Sequence, residues 1–143
     1  MNSDQAAASV HAAAWAATWL HDSDRLREAL QAYVAIGLPT DLAQNVIRMT
    51  EAALAGLDGE PERALPLFVQ AAQYWRERDL PFPLGMCLLS QLTVLGPHHP
   101  SSATSAEEAR QIFERLNSQP LLARLDAITG DAAPEATPLP AQA

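Results

Sequence analysis

Lysine is absent from this sequence of 143 residues, and nine arginines carry its positive charge, histidines aside. Seventeen acidic residues outnumber them, so the formal net charge is −8. A surface of this sign repels backbone phosphates, and direct nucleic-acid binding is therefore not expected. A chain without lysine also cannot contain a Gly-x-x-x-x-Gly-Lys-Ser/Thr loop, which excludes the phosphate-binding loop of the common nucleotide hydrolases.

Cysteine and long apolar runs are scarce as well. Cys87 is the only cysteine, so no disulfide can form within the chain, and its apolar surroundings LGMCLLSQL predict a buried structural thiol in a reducing compartment. No stretch approaches the roughly 18 unbroken apolar residues of a membrane span. The N-terminal stretch carries Asp4 and His11 and lacks the positive start of a signal peptide. We therefore expect a soluble cytoplasmic protein.

Helix-forming residues dominate what is present. Hydrophobic residues make up 48% of the chain, charged residues only 18%, and alanine is abundant. This composition favours an all-α domain whose helices pack closely through small side chains. The periodic part covers residues 1–130, and residues 131–143 form an Ala/Pro-rich tail without periodicity that we expect to be disordered.

Seven helices are predicted from the apolar periodicity and the breakers between the periodic stretches. Their expected ranges are 5–21, 23–36, 40–57, 60–78, 82–96, 101–117 and 120–129. Residues 84–95 are apolar almost all round, which predicts a helix sandwiched between neighbours at the centre of the core.

Prolines recur at a nearly constant spacing. Pro39, Pro81 and Pro120 each precede an apolar stretch, and subtraction gives separations of 42 and 39 residues. Proline is preorganised for the first turn of a helix, where its missing N–H costs nothing. We therefore expect a helix to start at each of these three prolines.

A second element lies before each of these prolines and pairs a small residue with an aromatic one four positions later. The pairs are Ala29 with Tyr33, Ala64 with Phe68, and Ala109 with Phe113. Two kinds of helix therefore alternate with a period near 40 residues. Such a period is typical of an α-solenoid, in which each helical hairpin buries its apolar face against its neighbours.

The stretch GEPERALPLFVQA resembles the second half of a tetratricopeptide repeat. The order Gly59, Ala64, Phe68, Ala71 matches that family in residue type and spacing. In the family the glycine ends the first helix, the alanines allow close approach, and the aromatic residue packs between them. The resemblance implies a tetratricopeptide-like α-solenoid of antiparallel hairpins.

The stretch EARQIFERLNSQP resembles the same half-repeat through Ala109, Phe113 and Pro120. The first half of the repeat is poorly kept, because Arg48 and Ala52 replace its large aromatic residue and its glycine. Residues 22–130 are also similar to the degenerate helical repeats at the C-terminal ends of large bacterial regulators. Those regulators carry an ATPase module, often with a helix-turn-helix or cyclase domain. The resemblance implies a repeat region alone, either as an independent protein or as a fragment.

No constellation in the sequence predicts catalysis, a cofactor or a metal. His98 and His99 are adjacent in a loop, and neighbouring residues seldom chelate one ion together. Cys87 is expected inside an apolar helix, away from both histidines. We expect a non-enzymatic protein.

Trp15 and Trp19 lie four residues apart, on one face of the first helix. They pack on the second helix, through Leu26, Leu30 and Tyr33, or they form an exposed patch that favours a homo-oligomer. Both interpretations remain open from the sequence.

Binding is the function that this architecture favours. The first helix of each hairpin usually lines the concave side of such an array, so we select Asn45, Arg48, Glu51 and Gln91 as candidate partner-binding residues. The expected partner is another protein or another part of a regulatory assembly, with no nucleic acid and no membrane. The alternative is a fragment of a transcriptional regulator or signalling ATPase whose repeat region senses a ligand or partner.

Overall fold

The computed structural model describes residues 2–130, which form seven α-helices and no strand. The helices are α1 (Ser3–Trp19), α2 (Ser23–Ile36), α3 (Asp41–Leu57), α4 (Pro61–Glu77), α5 (Pro81–Leu95), α6 (Ser102–Arg115) and α7 (Gln119–Thr129). The predicted all-α class is confirmed, and the expected tail at residues 131–143 lies outside the described residues. Within residues 2–130, every helix is too short or too polar to cross a bilayer.

Two of the three recurring prolines begin helices as predicted. Pro81 is the first residue of α5, and Pro120 is the second residue of α7. The prediction is wrong for Pro39, which lies in the link before α3. The hydroxyl of Thr40 accepts the backbone N–H of Ala43 at 3.1 Å, so this threonine caps the helix and α3 starts one residue later.

One kind of turn ends four of the helices. Each contains a residue in the left-handed region: His21 after α1, Gly59 after α3, Asp79 after α4 and Asn117 after α6. The next amide then donates to a carbonyl five residues earlier, as in the 2.9 Å bond from Glu60 N–H to the Ala55 carbonyl. The expected role of Gly59 as a left-handed exit is confirmed by its φ of 80°. These short turns make consecutive helices antiparallel neighbours.

The helices pack in a defined order. Each packs against the next one in the chain. In addition, α1, α3 and α5 pack with one another, and α7 packs with α5. Among the described residues, the backbones of the even-numbered helices α2, α4 and α6 do not approach one another closely, although Arg76 of α4 donates to Glu108 of α6 at 2.9 and 3.0 Å. Helix α1 contacts both α3 and α5, so the first hairpin reaches the third and the row of odd-numbered helices curls on itself.

Helix α5 lies at the centre of the core, as predicted. Every residue from 84 to 92 is buried, because α5 packs against α1, α3, α4, α6 and α7. A Cβ added to Gly85 would lie 2.6 Å from Cε1 of Phe113, so this ring packs directly on the α5 backbone. Ala64, Phe68, Ala109 and Phe113 are each fully buried. The small–aromatic pairs of α4 and α6 therefore pack these hairpins together.

Candidate functional site

Asn45, a candidate for partner binding, lies in the interior with 0% of its surface exposed. Its Nδ2 donates to the Ala71 carbonyl of α4 at 3.1 Å, and its Oδ1 accepts from Arg48 at 2.6 Å. The expectation that Asn45 faces an open groove is wrong, because α4 covers that side of α3. Arg48 is half-buried beside it, and Glu51 is exposed one turn further along.

Gln91, the fourth candidate, is 3% exposed and faces α6. Its Nε2 donates to the hydroxyls of Ser101 and Ser105 at 3.1 and 3.0 Å. The expected exposure of Gln91 is also wrong, because neighbouring helices surround α5. The structure therefore brings Asn45 and Arg48 together, and it engages Gln91 in a separate contact between α5 and α6.

A serine and a histidine lie together in the turn before α6. Nδ1 of His99 accepts the backbone N–H of Ser101 at 3.2 Å and lies 2.9 Å from its hydroxyl oxygen. Because Nδ1 accepts, the hydroxyl donates to it. A hydrolytic site would also need an acid to orient the histidine. The described residues provide none at hydrogen-bond distance, and the pair instead closes the turn.

Cys87 and the histidines show neither the geometry of a nucleophilic site nor that of a metal site. Burial raises the pKa of Cys87 to about 12, so its side chain stays a thiol, 3.9 Å from the Phe68 carbonyl oxygen. The predicted burial of this cysteine is confirmed. Residues 2–130 contain no group of three or more His, Cys, Asp or Glu side chains arranged for a metal ion.

Trp15 and Trp19 are half-buried and pack against the core. The ring of Trp15 meets Phe82 of α5 edge-on, with centroids 6.0 Å apart. The guanidinium of Arg124 in α7 lies 4.5 Å from the centre of the Trp19 ring. Both rings therefore pack against the domain, but the contacts that the structure shows join them to α5 and α7, which the sequence did not predict, and the predicted packing on α2 stays a prediction.

A cavity of about 420 Å³ opens where α1, α3 and α5 begin and α2 and α4 end. We call it the aromatic cavity, after the rings of His11, Trp15, Tyr33 and Trp75. Its other lining residues are small, aliphatic or acidic: Asp4, Ala7, Ala8, Leu38, Leu42, Val46, Leu80 and Pro83.

The rings of the aromatic cavity come from three helices. His11 and Trp15 are four residues apart on α1, and their ring centroids are 4.3 Å apart. His11 also meets Tyr33 of α2 edge-on at 6.3 Å. Trp75 of α4 is only 2% exposed. The cavity lining therefore extends from exposed residues of α1 to a ring in the core.

The aromatic cavity carries little charge at neutral pH. Burial lowers the pKa of His11 to about 4, so its imidazole is neutral. Burial also raises the pKa of Tyr33, whose phenol stays protonated. Asp4 is the only acidic or basic residue in the lining apart from His11. The electrostatic character of the cavity is therefore weakly negative.

Several polar atoms beside the aromatic cavity lack partners. In residues 2–130, five buried side-chain nitrogens make no hydrogen bond, and three of them belong to cavity residues: His11 Nε2, Trp15 Nε1 and Trp75 Nε1. An unpaired buried polar group costs about 1–3 kcal/mol. Such groups concentrate where a bound molecule or water completes the structure. An apolar concavity with a few polar groups is the usual form of a small-molecule site.

Sequence reasoning missed this cavity because its lining spans residues 4 to 83 and comes from five helices and two links. The one local signal was the four-residue spacing of His11 and Trp15. That spacing places two rings on one face but gives no information on the helices opposite.

The chain matches no family model, and it has no significant similarity to curated proteins or to solved structures.

Proposed function

We propose that this chain is a non-enzymatic, tetratricopeptide-like α-solenoid that recognises a partner protein within a regulatory assembly. The packing order supports the architecture, since consecutive antiparallel hairpins are joined through a row of odd-numbered helices. The buried Ala64–Phe68 and Ala109–Phe113 pairs are consistent with the half-repeat pattern. The tight curl that brings α1 to α5 is a feature of this particular array.

The observation that carries the proposal is the exposed apolar rim of the aromatic cavity, formed by Leu42 and Phe82, which we call its mouth. Leu42 lines the cavity and is 47% exposed, and Phe82, which is 44% exposed, lies against Trp15 beside it. Large exposed hydrophobic side chains that border a concavity are typical anchors of protein–protein interfaces. A partner that covers this mouth buries Leu42 and Phe82 together.

A small ligand is the second candidate occupant, and it corresponds to a repeat region that senses a metabolite. The specific observation in its favour is the size of the cavity. Its volume of about 420 Å³ lies within the range of about 300–1,000 Å³ that holds small molecules.

Affinity capture from a cell lysate tests recognition of a protein partner. We expect the wild-type chain to retain a partner that Phe82→Ser does not retain. Val69→Ser is the matched control, because Val69 is 55% exposed on α4 and does not line the cavity. The control variant is expected to retain the partner as the wild type does.

Two results would redirect the proposal. If Val69→Ser and Phe82→Ser lose the partner equally, the mouth of the cavity is not the contact surface. If no protein is retained while one metabolite raises the melting temperature, the ligand-sensing candidate replaces protein recognition.

A further inference from the structure

Carboxylates border the exposed apolar side chains at the mouth of the aromatic cavity. Asp4 lines the cavity, and Asp41 directly precedes Leu42 in the first turn of α3. Both aspartates are exposed, and neither forms an ion pair with any residue in the range 2–130. The mouth therefore presents Leu42 and Phe82 to solvent next to two unpaired negative charges.

No arginine lines the cavity to compensate these two charges. Five of the nine arginines form ion pairs with other carboxylates, and Arg78 and Arg124 lie over the rings of Tyr74 and Trp19. Three helices begin and two end at this side of the molecule, so their partial charges of about half a unit each largely offset one another. The charge at the mouth therefore favours lysine or arginine on an occupant and disfavours acidic residues.

The lining of the cavity also favours one backbone conformation of the occupant. Most of the lining is apolar, and the unpaired nitrogens of His11, Trp15 and Trp75 have almost no exposed surface. An extended segment would bring backbone N–H and C=O groups to a wall that offers them few partners, and unpaired groups of this kind are costly. A helix pairs these groups within itself and presents apolar side chains at positions i, i+3, i+4 and i+7.

We propose that the mouth of the aromatic cavity docks an amphipathic helix of a partner protein. The apolar side chains of that helix cover Leu42 and Phe82 and enter the cavity of about 420 Å³, and its lysines or arginines face Asp4 and Asp41. This inference rests on the proposed function, recognition of a partner protein, and adds the chemistry of the partner. Burial of the exposed apolar side chains contributes affinity, whereas the two carboxylates contribute selectivity for a basic helix.

The test is an NMR titration of the full chain, at low ionic strength, with a helical peptide of about 15 residues. The peptide carries leucines at the spacing i, i+3, i+4 and i+7 and lysines on both sides of them. The side-chain N–H signal of Trp15 reports binding, because its ring contacts Phe82. Trp19 is the internal reference, because it contacts Arg124 and does not line the cavity.

Three counterpart peptides separate the effect of charge from that of the apolar face. Replacement of every lysine by glutamine is expected to weaken binding at least about fivefold, and replacement by glutamate is expected to weaken it further. A peptide that keeps the lysines but has serine in place of leucine is expected to leave the Trp15 signal unchanged.

Variants of the chain assign the selectivity to the two aspartates. Asp4→Asn and Asp41→Asn are each expected to weaken binding of the lysine peptide about two- to fivefold, as befits exposed carboxylates, without affecting the glutamine peptide. Glu62→Gln is the matched control and is expected to have no effect. Glu62 is also exposed and unpaired in the first turn of a helix, but α4 begins there and ends at the cavity.

Variants of the apolar side chains locate the contact surface. Phe82→Ser is expected to weaken binding of the lysine and glutamine peptides alike. Val69→Ser, which lies outside the cavity, is expected to bind both as the wild type does. Equal losses in these two variants would place the peptide elsewhere and overturn the inference.

The remaining outcomes are distinguishable from those of the proposed function. Equal binding of the lysine and glutamine peptides, or an equal loss in Glu62→Gln and Asp4→Asn, would overturn the selectivity for a basic helix. Failure of every peptide to bind would overturn docking of a helix. In each case, capture of a partner from a lysate that depends on Phe82 would still support recognition through the mouth.

Two further measurements identify other occupants. If hexylamine shifts the Trp15 signal and binds as tightly as the lysine peptide, the occupant is a small amine. If sedimentation shows a dimer that Phe82→Ser dissociates and Val69→Ser does not, the occupant is a second copy of the chain. Either result would overturn docking of a partner helix.

Discussion

Phe82 belongs to α5 and Phe113 packs on α5 from α6, but the two rings have opposite environments. Phe113 has 0% of its surface exposed and packs on the α5 backbone at Gly85, where not even a methyl group would fit. Phe82 is 44% exposed and contacts Trp15 beside the aromatic cavity. Side chains of the domain fill the space around Phe113. Phe82 instead lies beside a cavity that has open space and unpaired nitrogens. The packed core and the proposed binding surface are thus formed by different side chains, and mutations can test that difference.

Truncation of the two phenylalanines gives the largest expected difference. Phe113→Ala is expected to lower the free energy of unfolding by about 3–5 kcal/mol, because it removes a buried ring and leaves a cavity. Phe82→Ala, the matched control, is expected to cost less than about 1 kcal/mol. Urea denaturation followed by circular dichroism measures both. Equal losses would mean that Phe82 is as much part of the core as Phe113.

We expect acid to lower the stability of the folded protein because of His11, which is buried beside the aromatic cavity. Burial lowers its pKa from 6.5 to about 4, so between these values the unfolded chain binds the proton more readily. The contribution of neutral His11 to the free energy of unfolding is complete above pH 6.5 and is lost as the pH falls towards 4. It amounts to at most about 3 kcal/mol, since one pKa unit corresponds to about 1.4 kcal/mol.

The contribution of His11 is measured by comparing how stability depends on pH in the wild type and in two variants. We expect stability to fall less between pH 7 and pH 5 in His11→Gln than in the wild type. His98→Gln changes an exposed loop residue and is expected to behave as the wild type does. If all three proteins lose the same stability over this range, His11 is not held neutral by burial.

Two substitutions that enlarge a side chain, one in the core and one in the aromatic cavity, have the smallest expected effects on stability. They also give the sharpest contrast between the two regions. Gly85→Ala places a Cβ 2.6 Å from the Phe113 ring and 3.1 Å from Cγ2 of Ile112. Overpacking of this kind costs about 1–3 kcal/mol, partly offset by the better helix propensity of alanine. Ala8→Leu adds three carbons at an exposed residue that lines the aromatic cavity, and it is expected to change stability by no more than about 0.5 kcal/mol.

Thermal unfolding of the two variants tests this contrast. Ala8→Leu should also weaken binding of any compound that occupies the cavity. A large loss of stability in Ala8→Leu would mean that the cavity has no room for a side chain. Rescue of Gly85→Ala by Phe113→Leu in the double variant would confirm that the ring causes the clash.

Helix α5 illustrates what the sequence could predict. Its apolar character on every face predicted burial on every side, and residues 84–92 are all buried. The small–aromatic pairs of α4 and α6 were predicted in the same way, and they lie in the core. These predictions succeeded because each depends on residues within one or two turns of a helix, where spacing fixes the face that a side chain occupies.

Asn45 and Gln91 illustrate where the sequence failed. A polar residue opposite an apolar face is ordinarily exposed, but here α4 covers Asn45 and α6 covers Gln91. Each side chain is paired with a specific group on the covering helix. Nothing local to α3 indicated that α4 would supply a partner for Asn45, whereas the predicted burial of α5 on every side already conflicted with the expected exposure of Gln91.

The sequence by itself determined the helical class, the turn at Gly59 after α3, the start of α5 at Pro81, and the central position of α5. The tertiary structure alone decided that His11 and Trp15 of α1 line one cavity together with Tyr33 and Trp75. It did so because that cavity depends on the curl that brings α1 against α3 and α5. Such a contact between distant hairpins is set by the sum of many small packing angles, and no short stretch of residues encodes it.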